Sequence, residues 1–148
     1  MEISQSMTKE VHSLATTATI ADAARLMAKF DIGAVPVLEG GELKGIVTDR
    51  DIAIRAVAMG LSPDQSVVRA MTYDVASCRD TACIDDVLAE MVTHGVRRMP
   101  ICAKDGKLVG IVTLGDLARI DWDKEQIGIT VGELSGHRRA AASAPAAA

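Results

Sequence analysis

Gly45-Ile46-Val47-Thr48-Asp49-Arg50-Asp51 returns as Gly110-Ile111-Val112-Thr113-Leu114-Gly115-Asp116, an offset of 110 − 45 = 65 positions. Leu43 and Leu108 share that offset. Upstream, beyond one extra turn residue, the offset is 71 − 7 = 64, and it carries Met7-Thr8 onto Met71-Thr72, Val11 onto Val75, Thr17 onto Thr81, Ile20 onto Ile84, Asp22 onto Asp86, Met27 onto Met91 and Pro36 onto Pro100. Matches in this order and spacing mark an internal duplication, which governs every other reading of the chain.

Each copy carries the same periodicities. Apolar residues at helical spacing, Ile20, Ala23, Ala24 and Met27, then Ile84, Val87, Leu88 and Met91, predict an amphipathic helix. It is expected to end near Phe30-Asp31 in the first copy and at His94-Gly95 in the second, where glycine takes a left-handed cap. Two short apolar runs follow, Val35 to Leu38 and Leu43 to Val47, split by Gly40-Gly41 as in a β-hairpin; Asp105-Gly106 is expected to play the same part in the second copy. A further helix starts at about Asp49 to Asp51 and runs to Met59, before Gly60 and Pro63; its partner begins near Asp116 and is shorter. A brief strand after each Met-Thr, holding Val11 to Ser13 and Val75 to Ser77, completes a β-α-β-β-α unit.

The fold class is therefore α+β (mixed α/β). Because one unit has too little interior to bury its sheet, the two are expected to pack sheet to sheet with pseudo-two-fold symmetry. Repeat boundaries fall at 1–66 and 67–122. Residues 123–136 form a C-terminal segment with a possible short helix around Thr130 to Ser135, and the Ala-rich 137–148 are expected to be disordered.

Composition narrows the function. In 148 residues, a net charge of −4 with one Trp, one Tyr and one Phe gives no basic footprint for phosphate backbones and no platforms for stacked bases, so nucleic acid is excluded as a partner. Met1 to Gln5 lack the features of a signal peptide and no apolar run reaches membrane-spanning length, which predicts a cytoplasmic protein. Cys78, Cys83 and Cys102 form no Cys-x-x-Cys pair, and the three histidines are scattered, so no metal site is expected. No nucleophile, base and orienting group recur at recognisable spacing, which predicts a protein that is not an enzyme, with no catalytic residues. The strands bearing Cys78 and Cys102 are expected to be parallel and near one another, making a bridge conceivable. Buried thiols acting as small hydrophobes are the simpler reading.

Met-Thr, an amphipathic helix, Val-Pro-Val and Gly-Ile-Val-Thr-x-x-Asp, twice over, resemble a tandem pair of cystathionine β-synthase (CBS) domains, also called a Bateman module. The likeness covers about four fifths of the chain. The resemblance implies a regulatory module that binds AMP, ADP, ATP, S-adenosylmethionine or another adenosyl ligand in clefts between the repeats, with NADH a further candidate. It also implies a homodimer that signals to a protein target in trans. The alternative is a ligand-free, stress-associated scaffold.

The signature has chemistry suited to such a ligand. Thr48 and Thr113 stand where a strand gives way to a helix, where free N–H groups favour an anion, and their hydroxyls can donate to a phosphate. Asp51 and Asp116 have two acceptor oxygens each, enough for both ribose hydroxyls. In the family these positions carry phosphate and ribose. The same Thr-x-x-Asp pattern is equally a helix-capping box, and the two readings are compatible. Val11, Ala34 and Val35 in one copy, and Val75, Arg98 and Met99 in the other, are candidate walls for adenine, with ordinary sheet core as the simpler reading. Countercharge for phosphate comes from Arg50 in the first copy and from Arg97 and Arg98 in the second, so the two sites are expected to be unequal.

Overall fold

The structure is a computed structural model that describes residues 1–120 and 124–143. It has a mixed α+β architecture with two sheets and two hydrophobic cores, each in its own compact unit.

The first unit comprises Glu10–Val75 with Ala103–Leu108. Its elements are β1 (Leu14–Ala15), α1 (Ile20–Phe30), β2 (Ala34–Glu39), β3 (Glu42–Thr48), α2 (Asp49–Asp51), which continues as a π-helical Ile52–Val57, and β4 (Thr72–Tyr73). The sheet runs β1-β2-β3-β4. Helix α1 forms because Thr19 and Asp22 cap it reciprocally: Asp22 N–H donates to Thr19 Oγ1 at 3.1 Å and Thr19 N–H donates to Asp22 Oδ2 at 2.9 Å. The bonds from Thr19, its backbone N–H foremost, hold the Asp22 carboxyl below its ordinary pKa. The helix ends at Asp31, whose φ of 52° is left-handed. Ile20, Ala23 and Met27 bury one face of α1 against Val35, Val37 and Val47.

Between β2 and β3 the loop is only Gly40-Gly41, with φ of 60° and 84° and Glu39 opposite Glu42. Such a two-residue turn needs positive φ at both centres, which two glycines adopt without strain.

The second unit comprises Met1–Lys9, Ala76–Cys102 and the chain from Val109 on. It contains β5 (Cys78–Arg79), α3 (Ile84–His94), β6 (Arg98–Cys102), β7 (Leu108–Thr113), α4 (Leu114–Arg119) and α5 (Lys124–Ser143), with sheet order β5-β6-β7. The duplication extends to strand register. Leu14 lies opposite Val37 in the parallel pair β1-β2, and Cys78 lies opposite Ile101 in β5-β6, each residue 64 positions on. Helix α3 ends at Gly95, φ 64°, as its sequence requires.

At the start of α3 the copies diverge. Cys83 has the extended N-cap backbone (φ −82°, ψ 162°) but makes no side-chain cap bond. Asp86 already stands where Asp22 stands in the first repeat. Cys83→Thr is therefore expected to complete a capping box and raise stability by about 1 kcal/mol, read as a higher urea midpoint at unchanged m-value.

Several expectations need correction. The first strands are Leu14–Ala15 and Cys78–Arg79, so Val11 to Ser13 and Val75 to Ser77 precede them; only Leu14 and Ala15 find partners along β2. Thr72–Tyr73 is a strand of the first repeat's sheet, antiparallel to β3, with Gly45 opposite Tyr73 and Ile46 opposite Thr72. In the mirror arrangement, Thr8 N–H donates to Ile111 O at 2.9 Å and Ile111 N–H to Thr8 O at 3.0 Å, while Ile3 sits fully buried in the core of the second unit. Each Met-Thr thus serves the other repeat's Gly-Ile-Val strand. The repeat boundary at 66/67 is accordingly not where the compact units divide.

Asp105-Gly106 does not form a two-residue turn. With a positive φ only at Gly106, the connection takes Ala103 to Lys107, closed by Ala103 N–H to Lys107 O at 2.9 Å. The possible short helix around Thr130 belongs to α5, which runs past the expected 136/137 boundary to Ser143; 144–148 lie outside the described residues. Ile127, Thr130 and Leu134, at helical spacing, are the buried face of α5. No helix among the described residues is long and apolar enough to cross a membrane.

Cys78 and Cys102 lie on adjacent parallel strands, yet Cys78 faces Ile101 and Cys102 faces Arg79, and both thiols are free. Burial pushes the Cys78 thiol up to about 11, with the charges of Glu90 and Asp86 adding to it, and raises that of Cys102 as well. Protonated and buried, they act as small hydrophobes.

Candidate functional site

Thr48 and Thr113 end their strands in nearly the same extended conformation, φ −112°, ψ 162° and φ −108°, ψ 156°. Both cap the following helix reciprocally. Asp51 N–H donates to Thr48 Oγ1 at 3.1 Å and Thr48 N–H to Asp51 Oδ2 at 2.9 Å; Asp116 N–H donates to Thr113 Oγ1 at 3.0 Å and Thr113 N–H to Asp116 Oδ2 at 2.9 Å. The first helical N–H is engaged too: Asp49 N–H donates to Gly33 O at 3.0 Å and Leu114 N–H to Arg97 O at 2.9 Å. These bonds tie the signature to the segment entering β2 or β6, and so fix where each aspartate stands.

In each box one carboxylate oxygen is committed to the cap, leaving the other for a further partner. At Asp116 that partner is Arg119, whose Nη2 donates to Oδ1. At Asp51, which is 8% exposed, Arg55 stays 3.9 Å from Oδ1. Its Nη1 donates instead to Ala70 O at 3.3 Å, Met71 O at 3.0 Å and Thr72 Oγ1 at 3.1 Å. Arg55 and Arg119 were not among the sequence candidates. A basic residue four or three positions after the aspartate, on the same helical face, is the signal that marks them.

The other candidates divide by burial. Val35 and Met99 are both 0% exposed, so their side chains belong to the two cores and only their backbone is available to a ligand. Val11, Ala34, Val75 and Arg98 are half-buried, while Arg50 and Arg97 are exposed. Arg50 donates its backbone N–H to Asp49 Oδ1 at 2.8 Å, and Arg97 Nη2 reaches Ser135 Oγ on α5 at 3.4 Å. Thr48, Asp51 and Arg50 thus fall in the first unit, as do Val11, Ala34, Val35 and Val75. Thr113, Asp116, Arg97, Arg98 and Met99 lie in the second. No group of three His, Cys, Asp or Glu side chains that could hold a metal occurs among the described residues.

Two matching β-α-β-hairpin units, each closing on a Thr-capped helix with an aspartate in its first turn, define a tandem module, and comparison with known proteins agrees. The CBS domain family model matches residues 2–57 and 65–123, and the chain belongs to the CBS domain family with two copies in tandem. It is 38% identical over 133 residues to the CBS domain-containing protein YhcV of Bacillus subtilis, covering 90% of this chain and 94% of that one. Among solved structures, the CBS domain protein PAE2072 from Pyrobaculum aerophilum, complexed with AMP, is 25% identical with a TM-score of 0.73, over 92% of this chain and 99% of that one. The CBS domain pair of protein MJ0100, in complex with 5′-methylthioadenosine and S-adenosyl-L-methionine, is 26% identical with a TM-score of 0.72, over 80% and 94% of the two chains.

Proposed function

We propose that the chain is a regulatory module that binds an adenosyl ligand at the two Thr-x-x-Asp boxes and conveys its occupancy, as a homodimer, to a separate protein. The observation that carries this reading is the repetition of one box geometry in a chain related to pairs solved with AMP and with S-adenosyl-L-methionine. Asp51 and Asp116 would accept from ribose hydroxyls, Thr48 and Thr113 would donate to a phosphate, and Arg50, Arg97 and Arg98 would supply countercharge. The exposed Ile54 and Val57 on the π-helical segment, with Met59 in the turn after it, offer apolar surface for a second copy. A ligand moves such a module only by binding one arrangement better than another.

One observation favours a ligand-free scaffold: Thr19 and Asp22 make the same reciprocal cap at α1, outside any signature. Capping geometry alone therefore does not require a ligand. A thermal-shift panel of AMP, ADP, ATP, NADH and S-adenosylmethionine separates the readings. A true ligand at 100 times its dissociation constant is expected to stabilise the chain by about 2.7 kcal/mol. Asp51→Ala and Asp116→Ala are each expected to remove part of that shift, beyond a capping loss of about 1 kcal/mol seen without ligand. No shift with any of the five would leave the scaffold.

A further inference from the structure

The two boxes differ downstream of the aspartate. The first repeat reads Asp51-Ile52-Ala53-Ile54-Arg55 and the second Asp116-Leu117-Ala118-Arg119, so the first carries one more residue before its arginine. That extra residue coincides with the π-helical Ile52–Val57, where Ala58 N–H reaches back five residues to Ala53 O at 2.9 Å. A π-turn is how a helix absorbs one inserted residue without losing its ends. In the second repeat the helix stays α, and its arginine falls three positions after the aspartate, on the same face.

The arginines consequently have different partners. Arg119, with a side chain 75% exposed, closes on Asp116 Oδ1. Arg55 is carried past Asp51 and held by the Ala70 and Met71 carbonyls and the Thr72 hydroxyl. Among the described residues, Asp51 Oδ1 keeps no partner closer than the 3.9 Å to Arg55.

We propose that Arg119 is a latch on the second box, competing with the ligand's ribose for Asp116, and that the inserted residue disables the same latch at Asp51. The proposal rests on the ligand-binding reading above and says which box fills first. A ribose arriving at Asp51 finds an oxygen that no described residue engages in a hydrogen bond. At Asp116 it must first displace a guanidinium, and because that pair is exposed the cost is small and the latch weak. The asymmetry therefore lies in what already holds each aspartate, in addition to the countercharge offered by Arg50, Arg97 and Arg98.

The test is calorimetric titration of the whole chain with AMP. The wild type is expected to bind in a tighter step lost in Asp51→Ala and a weaker step lost in Asp116→Ala. Arg119→Ala is expected to tighten the weaker step by about twofold to fivefold, the span that an exposed ion pair's worth allows. It should leave the tighter step unchanged, and Arg119→Lys should keep much of the restraint. If the Asp116 step is unchanged or weakens in Arg119→Ala, or if the tighter step proves to be the one lost in Asp116→Ala, the latch is overturned while the ligand-binding reading stands. If neither AMP nor S-adenosylmethionine gives any heat with the wild type, both fall together.

Discussion

Ile3→Ala is expected to destabilise the chain by about 3 kcal/mol. The side chain is 0% exposed and packs in the cluster of Ile84, Val87, Leu88, Met91, Met99 and Ile101. Its backbone is fixed as well, since Ile3 N–H donates to Ala82 O at 2.9 Å and Glu2 bridges Cys83. Truncation to alanine leaves a cavity in a core that cannot collapse around it without moving α3, and large-to-small changes in such places cost about 2–5 kcal/mol. Urea unfolding followed by circular dichroism reads the loss. The exposed Met1, treated the same way, is expected to stay within about 0.5 kcal/mol of the parent. A loss at Ile3 no larger than at Met1 would mean that the N-terminal segment does not belong to this core.

The second large effect concerns a glycine. At Gly45 an added Cβ would stand 2.6 Å from Thr72 O and 2.8 Å from Met71 Sδ. The sulfur can move, but the carbonyl belongs to β4 and moves only with its strand. Gly45→Ala is therefore expected to cost about 3 kcal/mol, the upper end for overpacking. At the matching Gly110 the nearest atoms all belong to the Met7 side chain, Sδ closest and Cγ next at 2.8 Å, and a methionine can choose another rotamer. Gly110→Ala should cost about 1 kcal/mol. The ordering is the test: equal losses, or the larger one at Gly110, would contradict a backbone obstruction at Gly45.

Much of this architecture is legible in the sequence because local signals and burial agree there. Ile20, Ala23 and Met27 mark α1, Gly95 marks the end of α3, Gly40-Gly41 dictates the hairpin, and Thr48 with Asp51 forms the capping box that Thr-x-x-Asp announces. What escapes is set by distant partners. Nothing local to Met7-Thr8 says that its strand partner is Ile111, and nothing near Ile3 names Ala82. Gly45 and Gly110 are visible as repeat markers, but the close approach that demands them comes from Met71-Thr72 and Met7. Around the candidate site, the capping boxes of Thr48 with Asp51 and of Thr113 with Asp116 are legible from Thr-x-x-Asp. The sequence offers Val35 and Met99 as pocket walls because apolar residues beside a strand end look alike whether they face a ligand or a core. Arg55 and Arg119 are missed because a one-residue difference after Ala53 and Ala118 has no visible meaning until a π-turn redirects one guanidinium.

The exchange of opening segments between repeats also limits how this chain can be cut. A fragment ending at residue 66 keeps Ile3 but loses the core it fills, and keeps Gly45 but loses the Thr72 strand it was shaped to admit. The complementary fragment lacks Met7-Thr8 along β7. Each half therefore carries a segment that pairs within the other, and two such halves expressed apart are expected to associate in trans. For anyone splicing the module into a reporter, the repeat boundary is not where the compact units divide, and a split placed there is expected to yield a complementation pair rather than two domains.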